Sequence, residues 1–392
     1  MKFRDFILLM STFIFVALIV FIYLPISHFP TPSGKYGVGQ IKYHWTDMGR
    51  GESNLENQIH SYRELMVYVY YPTEKVDKAS FCKYDKDNAK SLETLFGKIT
   101  KLPKFLFAGL RFVKIHSVLN APIIEGNNKF PIIIVSHGFG AMVQGWTYFL
   151  EELASHGYIV VGINHPYVAA ITRYSDNQII ESLVFKKVEE RKEEGGEESY
   201  KKWKEDQVEI CSHDISFVIN KIGEIISSRN EIWSNRADLS HVGVMGGSFG
   251  GSVATRACRK ETRIKCGINM DGSLRGEDKN SLMNVPFMFL LAEKSNQWVG
   301  KGVKDLEDIN KFCSNSKNID RVIVKDIGHG VFSDLPILVN STFFTRVLSN
   351  YFDFFSTSSF EKGNLPIACK QLGVIGFDVV QFFDKHLKNR VE

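Results

Sequence analysis

A chain of 392 residues is long enough for one large α/β domain or for two small domains. Hydrophobic residues make up 44% of it and charged residues 23%, which excludes general disorder. The formal net charge is +4, and no cluster of Lys and Arg alternates with aromatic residues, so nucleic-acid binding has no electrostatic support. None of the six cysteines forms a C-x-x-C pair. The sequence therefore predicts no metal and no organic cofactor, favours buried free thiols and leaves the oligomeric state open.

The N-terminus carries an apolar stretch, residues 6–24, which is long enough to span a bilayer as a helix. Lys2 and Arg4 precede it, so the positive-inside rule predicts a cytoplasmic N-terminus and an extracytoplasmic remainder. The alternative is a cleaved signal peptide and a secreted protein, but the stretch is long for that and ends without a small-residue cleavage motif. We predict a membrane anchor over residues 1–28 and an α/β domain over residues 29–392.

A linker rich in Pro, Ser and Gly is predicted at residues 29–34, and two further segments follow it. Residues 65–71 are apolar and aromatic and stop at Pro72, which predicts an early strand. In residues 92–119, lysines alternate with Leu, Phe, Ile and Val, which is a basic amphipathic pattern. Such a segment either lies on a membrane or covers a lipid site, or it packs on a core with its lysines in water. The pattern does not separate these two interpretations.

The remainder of the chain alternates apolar runs with helical stretches. The runs are residues 131–135, 158–163, 242–245, 266–270, 285–291 and 321–324, and the helical stretches are 146–155, 208–222, 250–259 and 374–383. Runs that are apolar on both faces suit a parallel sheet, and their alternation with helices predicts a doubly wound, mostly parallel α/β sheet. A charged insertion, residues 185–206, predicts a solvated helix held by charge pairs and broken at Gly195 and Gly196.

The strongest chemical signal is Gly-Gly-Ser-Phe-Gly at residues 246–250, which matches G-x-S-x-G. In this motif a sharp turn between a strand and a helix strains the serine, and glycines let the two backbones pass closely. A predicted strand precedes the motif here and a predicted helix follows it. The alternative is a glycine-rich turn that only packs tightly, which this context disfavours. We expect Ser248 to be the nucleophile.

Acyl transfer also needs two N–H donors for the developing oxyanion. One comes from the residue after the nucleophile, here Phe249, and the other from the loop after an early strand. The run 131–135 leads into Ser-His-Gly-Phe-Gly, which makes the N–H of Phe139 the second candidate. His137 precedes the serine, which is the wrong order for a base in this fold, so we interpret it as structural.

The general base is expected after Ser248 in the chain, which leaves two histidines. His386 lies between lysines at the polar end of the last predicted helix and is expected to face solvent. His329 lies between glycines just after a predicted strand, where a loop can bring its imidazole to the serine. We assign His329 as the base.

Two acids compete for the third position. Asp271 directly follows the run 266–270, whereas Glu293 follows the next run, in a loop without aspartate. Asp326 lies too close to His329 in sequence and is expected to decorate the loop or to pair with a lysine. Asp271 fits best, because it would hold the tautomer of His329 and stabilise the imidazolium.

Together these motifs resemble those of the plasma-type and intracellular type II platelet-activating factor acetylhydrolases, the group VII phospholipases. Five stretches carry the resemblance: residues 32–39, 131–140, 237–251, 266–272 and 329–334. The first, Pro-Ser-Gly-Lys-Tyr-Gly-Val-Gly, and the last, His-Gly-Val-Phe-Ser-Asp, are more specific to the family than the G-x-S-x-G core.

The resemblance implies an α/β-hydrolase fold and calcium-independent hydrolysis of short or oxidised acyl chains from the sn-2 position of phospholipids. It implies that the acid is Asp271 and that residues 92–119 form the lipid interface. The chain departs from the family at Gly247, where a histidine is usual, and at Ser273 and Leu274, where a tryptophan is usual. Both differences lie at the expected pocket.

Three functions remain open from the sequence. The first is a membrane-anchored lipid esterase that forms an acyl-enzyme on Ser248, with a phospholipid or other lipid ester as its substrate. The second is a general carboxylesterase or polyester-type hydrolase, since a fold does not fix a substrate. The third is an inactive hydrolase-fold binding or scaffold protein at the membrane, which would have no need of all three residues Ser248, Asp271 and His329.

Overall fold

The structure is a computed structural model that describes residues 3–24, 28–52, 61–75, 86–191, 193, 195–295, 303–348 and 365–388. Its strands are β1 Gly37–Gly51, β2 Tyr62–Thr73, β3 Ser117–Leu119, β4 Phe130–Ser136, β5 Ile159–Asn164, β6 Ile171–Arg173, β7 Ile179–Glu181, β8 Ala237–Gly247, β9 Ile264–Met270, β10 Phe287–Ala292 and β11 Ile319–Val324. Its α-helices are α1 Phe3–Tyr23, α2 Lys86–Thr100, α3 Thr147–Ser155, α4 Val184–Glu190, α5 Gly196–Ser228, α6 Phe249–Lys260, α7 Val303–Asn315, α8 Leu335–Asn340, α9 Phe343–Leu348 and α10 Leu365–Leu387. Short 3₁₀ helices span Lys104–Phe112, Val143–Trp146, Ser234–Arg236, Gly276–Asn280 and His329–Phe332.

Nine strands form one sheet in the order β11-β10-β9-β8-β4-β5-β2-β1-β3. In this spatial order, every neighbouring pair from β11 across to β5 is parallel. By contrast, β2 is antiparallel to both β5 and β1. The predicted mostly parallel α/β sheet is therefore confirmed, and all six apolar runs overlap its strands. The carboxyl ends of the parallel strands meet at one edge, where such sheets hold their ligands.

Helices cover both faces of the sheet. Successive side chains of a strand point to opposite faces, so Ile132 and Ile134 join one apolar cluster and Ile133 and Val135 join the other. Residues of α5, α6 and α7 complete the first cluster, and residues of α3, α8 and α10 complete the second. Four buried residues in a row on β4 thus explain why this strand reads as a continuous apolar run.

The antiparallel side of the sheet differs from expectation. The sequence did not predict β1, because its polar residues are interspersed with apolar ones and about half of its residues are only half-buried. The predicted early strand is longer than residues 65–71, because β2 continues through Pro72, which lies opposite Val38. Pro72 lacks an N–H, but its carbonyl accepts a hydrogen bond from Ile124 at 3.0 Å.

The charged insertion forms two helices, α4 and α5, and the predicted break at Gly195 and Gly196 is confirmed. Lys202 and Asp206 pair at 3.0 Å on its exposed surface, as a solvated helix requires. One side of it is not solvated, however. The rings of Tyr200 and Trp203 pack edge-on against Phe139, with centroids 6.3 Å and 5.5 Å away.

Among the described residues, one helix, α1, is long and apolar enough to cross a bilayer, with a mean hydropathy of 2.8 over its most apolar window. Its C-terminal end packs on the 3₁₀ helix Lys104–Phe112, where a Cβ on Gly109 would lie 2.6 Å from the carbonyl oxygen of Ile22. Phe21 also meets Phe344 of α9 edge to face at 6.3 Å.

Residues 92–119 pack on the core, as the second interpretation predicts, whereas the lipid interface stays a prediction. Leu92 and Phe96 on α2 are buried in the core, as are Phe107 and Leu110 of the following 3₁₀ helix. Aromatic residues on the other side of that 3₁₀ helix face outward, since Phe105 is 56% exposed and Phe112 41% exposed. The segment therefore packs on the core and also presents apolar side chains to its surroundings.

Candidate active site

Ser248 occupies the tight turn between the last residue of β8 and the first residue of α6. Its φ of 56° and ψ of −118° are strained for a residue with a side chain. Glycines make this turn possible, because a Cβ on Gly250 would lie 2.2 Å from the carbonyl oxygen of Ser136 on β4. The strand–turn–helix context expected for the nucleophile is present.

Asp271 and His329 meet beside this turn. The Nδ1 of His329 lies 2.7 Å from the Oδ2 of Asp271, whose Oδ1 accepts the N–H of Ala292 at 2.8 Å. Asp271 is fully buried, whereas the His329 side chain is 28% exposed. Two bonds therefore fix the carboxylate, which places the imidazole proton on Nδ1 and makes Nε2 the basic nitrogen.

The competing acids and the second histidine lie elsewhere. Glu293 is exposed and accepts the N–H of Asp326 at 3.0 Å. Asp326 pairs with Lys294 at 3.0 Å, as expected. His386 is only partly buried, and lies in a separate hollow between β11 and α10. The carboxylate that contacts His329 is therefore that of Asp271.

The side chains of the two residues expected to supply the oxyanion donors, Phe139 and Phe249, are in contact. The ring centroids of Phe139 and Phe249 are 5.1 Å apart. Phe249 is the first residue of α6, so its N–H has no acceptor within the helix. Among the described residues, the N–H of Phe139 has no hydrogen-bond acceptor either. The arrangement therefore offers two backbone donors next to the strained serine.

His137 supports the loop that carries Phe139. It is fully buried, its Nδ1 lies 2.8 Å from the carbonyl oxygen of Gly138, and its Nε2 accepts the N–H of His165 at 3.1 Å. Burial, followed by the nearby His165, lowers the pKa of His137 to about 3. The ring is therefore neutral, and the geometry agrees with the structural role that the sequence favoured.

Behind this loop lies a buried polar cluster that sequence reasoning missed. The Oγ of Ser136 lies 3.0 Å from the Nε2 of His165, and the Nδ1 of His165 lies 2.8 Å from the Oδ2 of Asp214. Asp214 also binds the guanidinium of Arg63 at 2.8 Å. The three residues that correspond to a triad are 29 and 49 positions apart, without a motif, so no sequence signal could have joined them.

The same cluster contains the one group in the described part of the chain with metal-ligand geometry. The ligand atoms of His165, Cys211 and Asp214 lie within 4.8 Å of one another. The carboxylate is already paired with Arg63, and burial raises the pKa of the Cys211 thiol well above its ordinary value. A neutral thiol and a paired carboxylate suit a cation poorly.

A cavity of about 290 Å³ opens beside the candidate triad. Ser248 and His329 both line it, together with Gly138 and Phe139 of the oxyanion loop. Leucines and a phenylalanine of α2 form one wall, and leucines of α8 form another. Ser248 and His329 thus face a small, mainly apolar space.

Comparisons with known proteins show the family to which the chain belongs. The sequence pattern of the family described as "Platelet-activating factor acetylhydrolase, isoform II" matches residues 23–362. A platelet-activating factor acetylhydrolase of Cavia porcellus is 27% identical over 326 residues, which cover 78% of this chain and 68% of that protein. One of Gallus gallus is 27% identical over 236 residues, which cover 54% of each. A probable 1-alkyl-2-acetylglycerophosphocholine esterase of Arthroderma benhamiae is 26% identical over 161 residues, which cover 40% of this chain and 34% of that protein.

Among solved structures, a ferulic acid esterase from Streptomyces cinnamoneus has a similar fold. The TM-score is 0.68 at 21% identity, and the superposition covers 93% of this chain and 94% of that one. At this identity the likeness concerns the fold alone. It adds an esterase to the proteins with this arrangement of sheet and helices.

Proposed function

The chain belongs to the platelet-activating factor acetylhydrolase isoform II family, and we propose that it releases the sn-2 acyl group of short-chain or oxidised phospholipids. Its relatives identify it as an ester-hydrolysing enzyme of the phospholipid or ester hydrolase class. The observation that carries the finer proposal is the 2.7 Å contact between Asp271 and His329, beside a strained Ser248 on a shared cavity.

The proposed mechanism has two steps. The Oγ of Ser248 attacks the ester carbonyl while the Nε2 of His329 takes its proton, and Asp271 stabilises the resulting imidazolium. The N–H groups of Phe139 and Phe249 stabilise the oxyanion. The protonated His329 then gives its proton to the leaving lysophospholipid oxygen. Water next attacks the acyl-enzyme with His329 as the base, which frees the acid and restores Ser248.

The size of the cavity supports a short acyl chain. Its volume of about 290 Å³ lies at the lower end of ligand pockets, which span roughly 300–1,000 Å³. Its wall is mainly apolar, which suits an acyl group, and the glycerophospholipid headgroup would remain outside it.

The test is release of the sn-2 acyl group from phosphatidylcholines of graded chain length, in a chelator, by wild type and Ser248→Ala. We expect cleavage of short or oxidised chains, and a loss of at least about 10⁴-fold in the variant. Activity confined to soluble p-nitrophenyl esters would favour a general carboxylesterase. Activity on neither class of substrate would favour the third function, an inactive binding or scaffold protein.

We also propose that residues 1–28 anchor the chain in a membrane and that residues 29–392 form the catalytic domain outside the cytoplasm. The apolar α1 supports the anchor, and the exposed Phe105 and Phe112 lie on the 3₁₀ helix against which α1 ends. Alkaline carbonate should leave the full chain in the membrane fraction but release a chain that begins at residue 29. If expression of the full-length chain instead yields a released protein that lacks the N-terminal segment, the segment is a cleaved signal peptide.

A further inference from the structure

Three basic side chains, Arg191, Lys204 and Arg275, gather beside Phe139, and we call them the basic cluster. The Nζ of Lys204 lies 4.9 Å from the ring centroid of Phe139 and 5.9 Å from that of Tyr200. The guanidinium carbon of Arg191 lies 5.2 Å from the same Tyr200 centroid. Burial is the main influence on the pKa of Lys204 and on that of Tyr200, and the charge of Arg275 acts on both, so Arg275 lies near the same two side chains.

The cations of this cluster are open to solvent and poorly paired. Arg191 is exposed, and Lys204 and Arg275 are partly exposed. Within the part of the chain that the structure describes, the Nζ of Lys204 makes no hydrogen bond or ion pair, and Arg275 donates only to Ser273, from Nη2 at 3.2 Å. Arg191 has a carboxylate of Glu197 at 3.7 Å. The cluster therefore holds more positive charge than its neighbours balance.

This excess of positive charge costs free energy as long as no anion lies among the three side chains. Burial, followed by the charge of Arg275, lowers the pKa of Lys204 to about 7, and Arg191 acts in the same direction. Asp305 acts in the opposite direction, but its carboxylate is shared with Lys279 at 3.5 Å. A bound anion would relieve the repulsion, and ammonium and guanidinium groups are the side chains best suited to phosphate oxygens.

Phe139 joins the basic cluster to the cavity of the proposed triad. The residue lines that cavity together with Ser248 and His329, and its ring carries the ammonium of Lys204. Its N–H is one of the two proposed oxyanion donors, so an ester carbonyl would lie at its backbone and the cluster lies at its ring. In a glycerophospholipid the phosphate is only a few bonds from the sn-2 ester. One substrate molecule can therefore reach both places.

We propose that Lys204 and Arg275, with the more exposed Arg191, form a subsite for the phosphodiester group of the phospholipid whose sn-2 ester lies at Ser248. The inference rests on the proposed function and deepens it, because the triad and the apolar cavity recognise the acyl ester and not the headgroup. It also gives the charged insertion a role, since α5 brings Lys204 to the oxyanion loop. The subsite selects a negatively charged group at sn-3 over an uncharged one.

The test uses a pair of water-soluble esters that differ only at sn-3: 1-O-methyl-2-butanoylglycero-3-phosphocholine and 2-butanoyl-1,3-di-O-methylglycerol. Each has a single ester and releases butyrate, and neither needs a lipid surface. Wild type should show a kcat/KM at least about ten-fold higher on the phosphate ester. Lys204→Gln and Arg275→Gln should each remove most of that preference, mainly through KM, and should change the neutral ester by less than about two-fold.

Two further variants serve as controls. Lys204→Arg keeps the positive charge and should retain most of the preference for the phosphate ester. Lys221→Gln removes another cation of α5, whose Nζ lies 5.9 Å from the ring of Phe217. That lysine is about 25 Å farther along the helix, so its loss should leave both substrates unchanged.

Several outcomes would overturn the proposal. An equal loss on both esters in Lys204→Gln or Arg275→Gln would show that the side chain only supports the loop of Phe139. No preference in wild type, or the same preference in both Gln variants, would show that the cluster does not contact the phosphate. An equal effect of Lys221→Gln would indicate general attraction of anions by the surface.

Two measurements identify the source of the phosphate. Inorganic phosphate should compete with the phosphate ester in wild type, whereas stimulation of the neutral ester by it would show a site for a free anion and overturn the proposal. An effect of the Gln variants on phospholipid vesicles alone, and not on the soluble ester, would identify a membrane contact and overturn it as well. Full activity of Ser248→Ala, or no activity of wild type on either ester, would instead refute the proposed function itself.

Discussion

Two sets of serine, histidine and aspartate lie near the loop that carries Phe139. Among the described residues, the open set (Ser248, His329 and Asp271) borders a cavity, whereas the buried set (Ser136, His165 and Asp214) does not. In the open set, Nδ1 of His329 lies 2.7 Å from Asp271, and in the buried set Nδ1 of His165 lies 2.8 Å from Asp214. The His329 side chain is 28% exposed, whereas that of His165 is fully buried. The comparison teaches that hydrogen bonds among a serine, a histidine and an aspartate are not enough for nucleophilic catalysis, because the serine also needs space for a substrate.

The two aspartates also differ in what holds them. Asp271 accepts a backbone N–H, whereas Asp214 meets the guanidinium groups of Arg63 and Arg50, both at 2.8 Å. Burial raises the pKa of Asp214, but the charge of Arg63 and the hydrogen bond from His165 outweigh it and hold that pKa well below its usual range. The buried set is therefore a charge-paired support for the loop, and the open set is the one that we propose for proton transfer.

The largest expected difference between the two sets is catalytic. Asp271→Asn should lower kcat by about 10⁴-fold, because an amide holds the wrong tautomer of the histidine. Thermal unfolding should change little, since the amide keeps the volume of the carboxyl. Steady-state kinetics and calorimetry on the same preparation measure both. A loss of less than ten-fold would remove Asp271 from the proposed triad.

The matching change in the buried set should act on stability. Asp214→Asn leaves the buried Arg63 without its main partner, which should cost about 3–5 kcal/mol of unfolding free energy. Urea denaturation followed by fluorescence measures this difference. An unfolding free energy equal to that of wild type would show that the ion pair does not support the fold.

Two buried neutral histidines, His165 of the buried set and His137 beside it, should make stability depend on pH. Burial lowers the pKa of both His137 and His165, to about 3 for His137, so they stay neutral in the folded protein where the unfolded chain takes up protons. Their contribution is complete above the ordinary pKa of 6.5 and is lost as pH falls towards the folded value. Each should add a slope of about 1.4 kcal/mol per pH unit between roughly pH 6 and pH 4.

His137→Asn should lower the number of protons taken up on unfolding by about one, and so reduce the slope of unfolding free energy against pH. Urea denaturation at several pH values measures the slopes. Equal slopes in wild type and His137→Asn would show that burial of His137 does not govern acid stability.

The smallest expected effect is that of the buried serine. Ser136→Ala removes one neutral hydrogen bond to His165, which should cost about 1–3 kcal/mol of stability. Hydrolysis should fall by less than about ten-fold, since the effect on the oxyanion loop is indirect. Comparison of the kcat values of Ser136→Ala and wild type at a temperature where both are folded tests this. A loss as large as that expected for Ser248→Ala would make the buried set part of the chemistry.

The sequence predicted the open set because local patterns carry it. Ser248 lies in a motif with its strand and helix, Asp271 ends an apolar run, and His329 lies between glycines. The buried set has no such signal, since Ser136 and Asp214 come from β4 and α5 and meet only through the packing of the sheet.

The most direct test of the central claim is the site of reaction with a fluorophosphonate probe. The intact protein is labelled with the probe, digested and mapped by mass spectrometry. We expect one adduct, on Ser248, that forms in wild type and in Ser136→Ala and is absent from Ser248→Ala and His329→Ala. An adduct on Ser136, or labelling that persists in Ser248→Ala, would contradict the account.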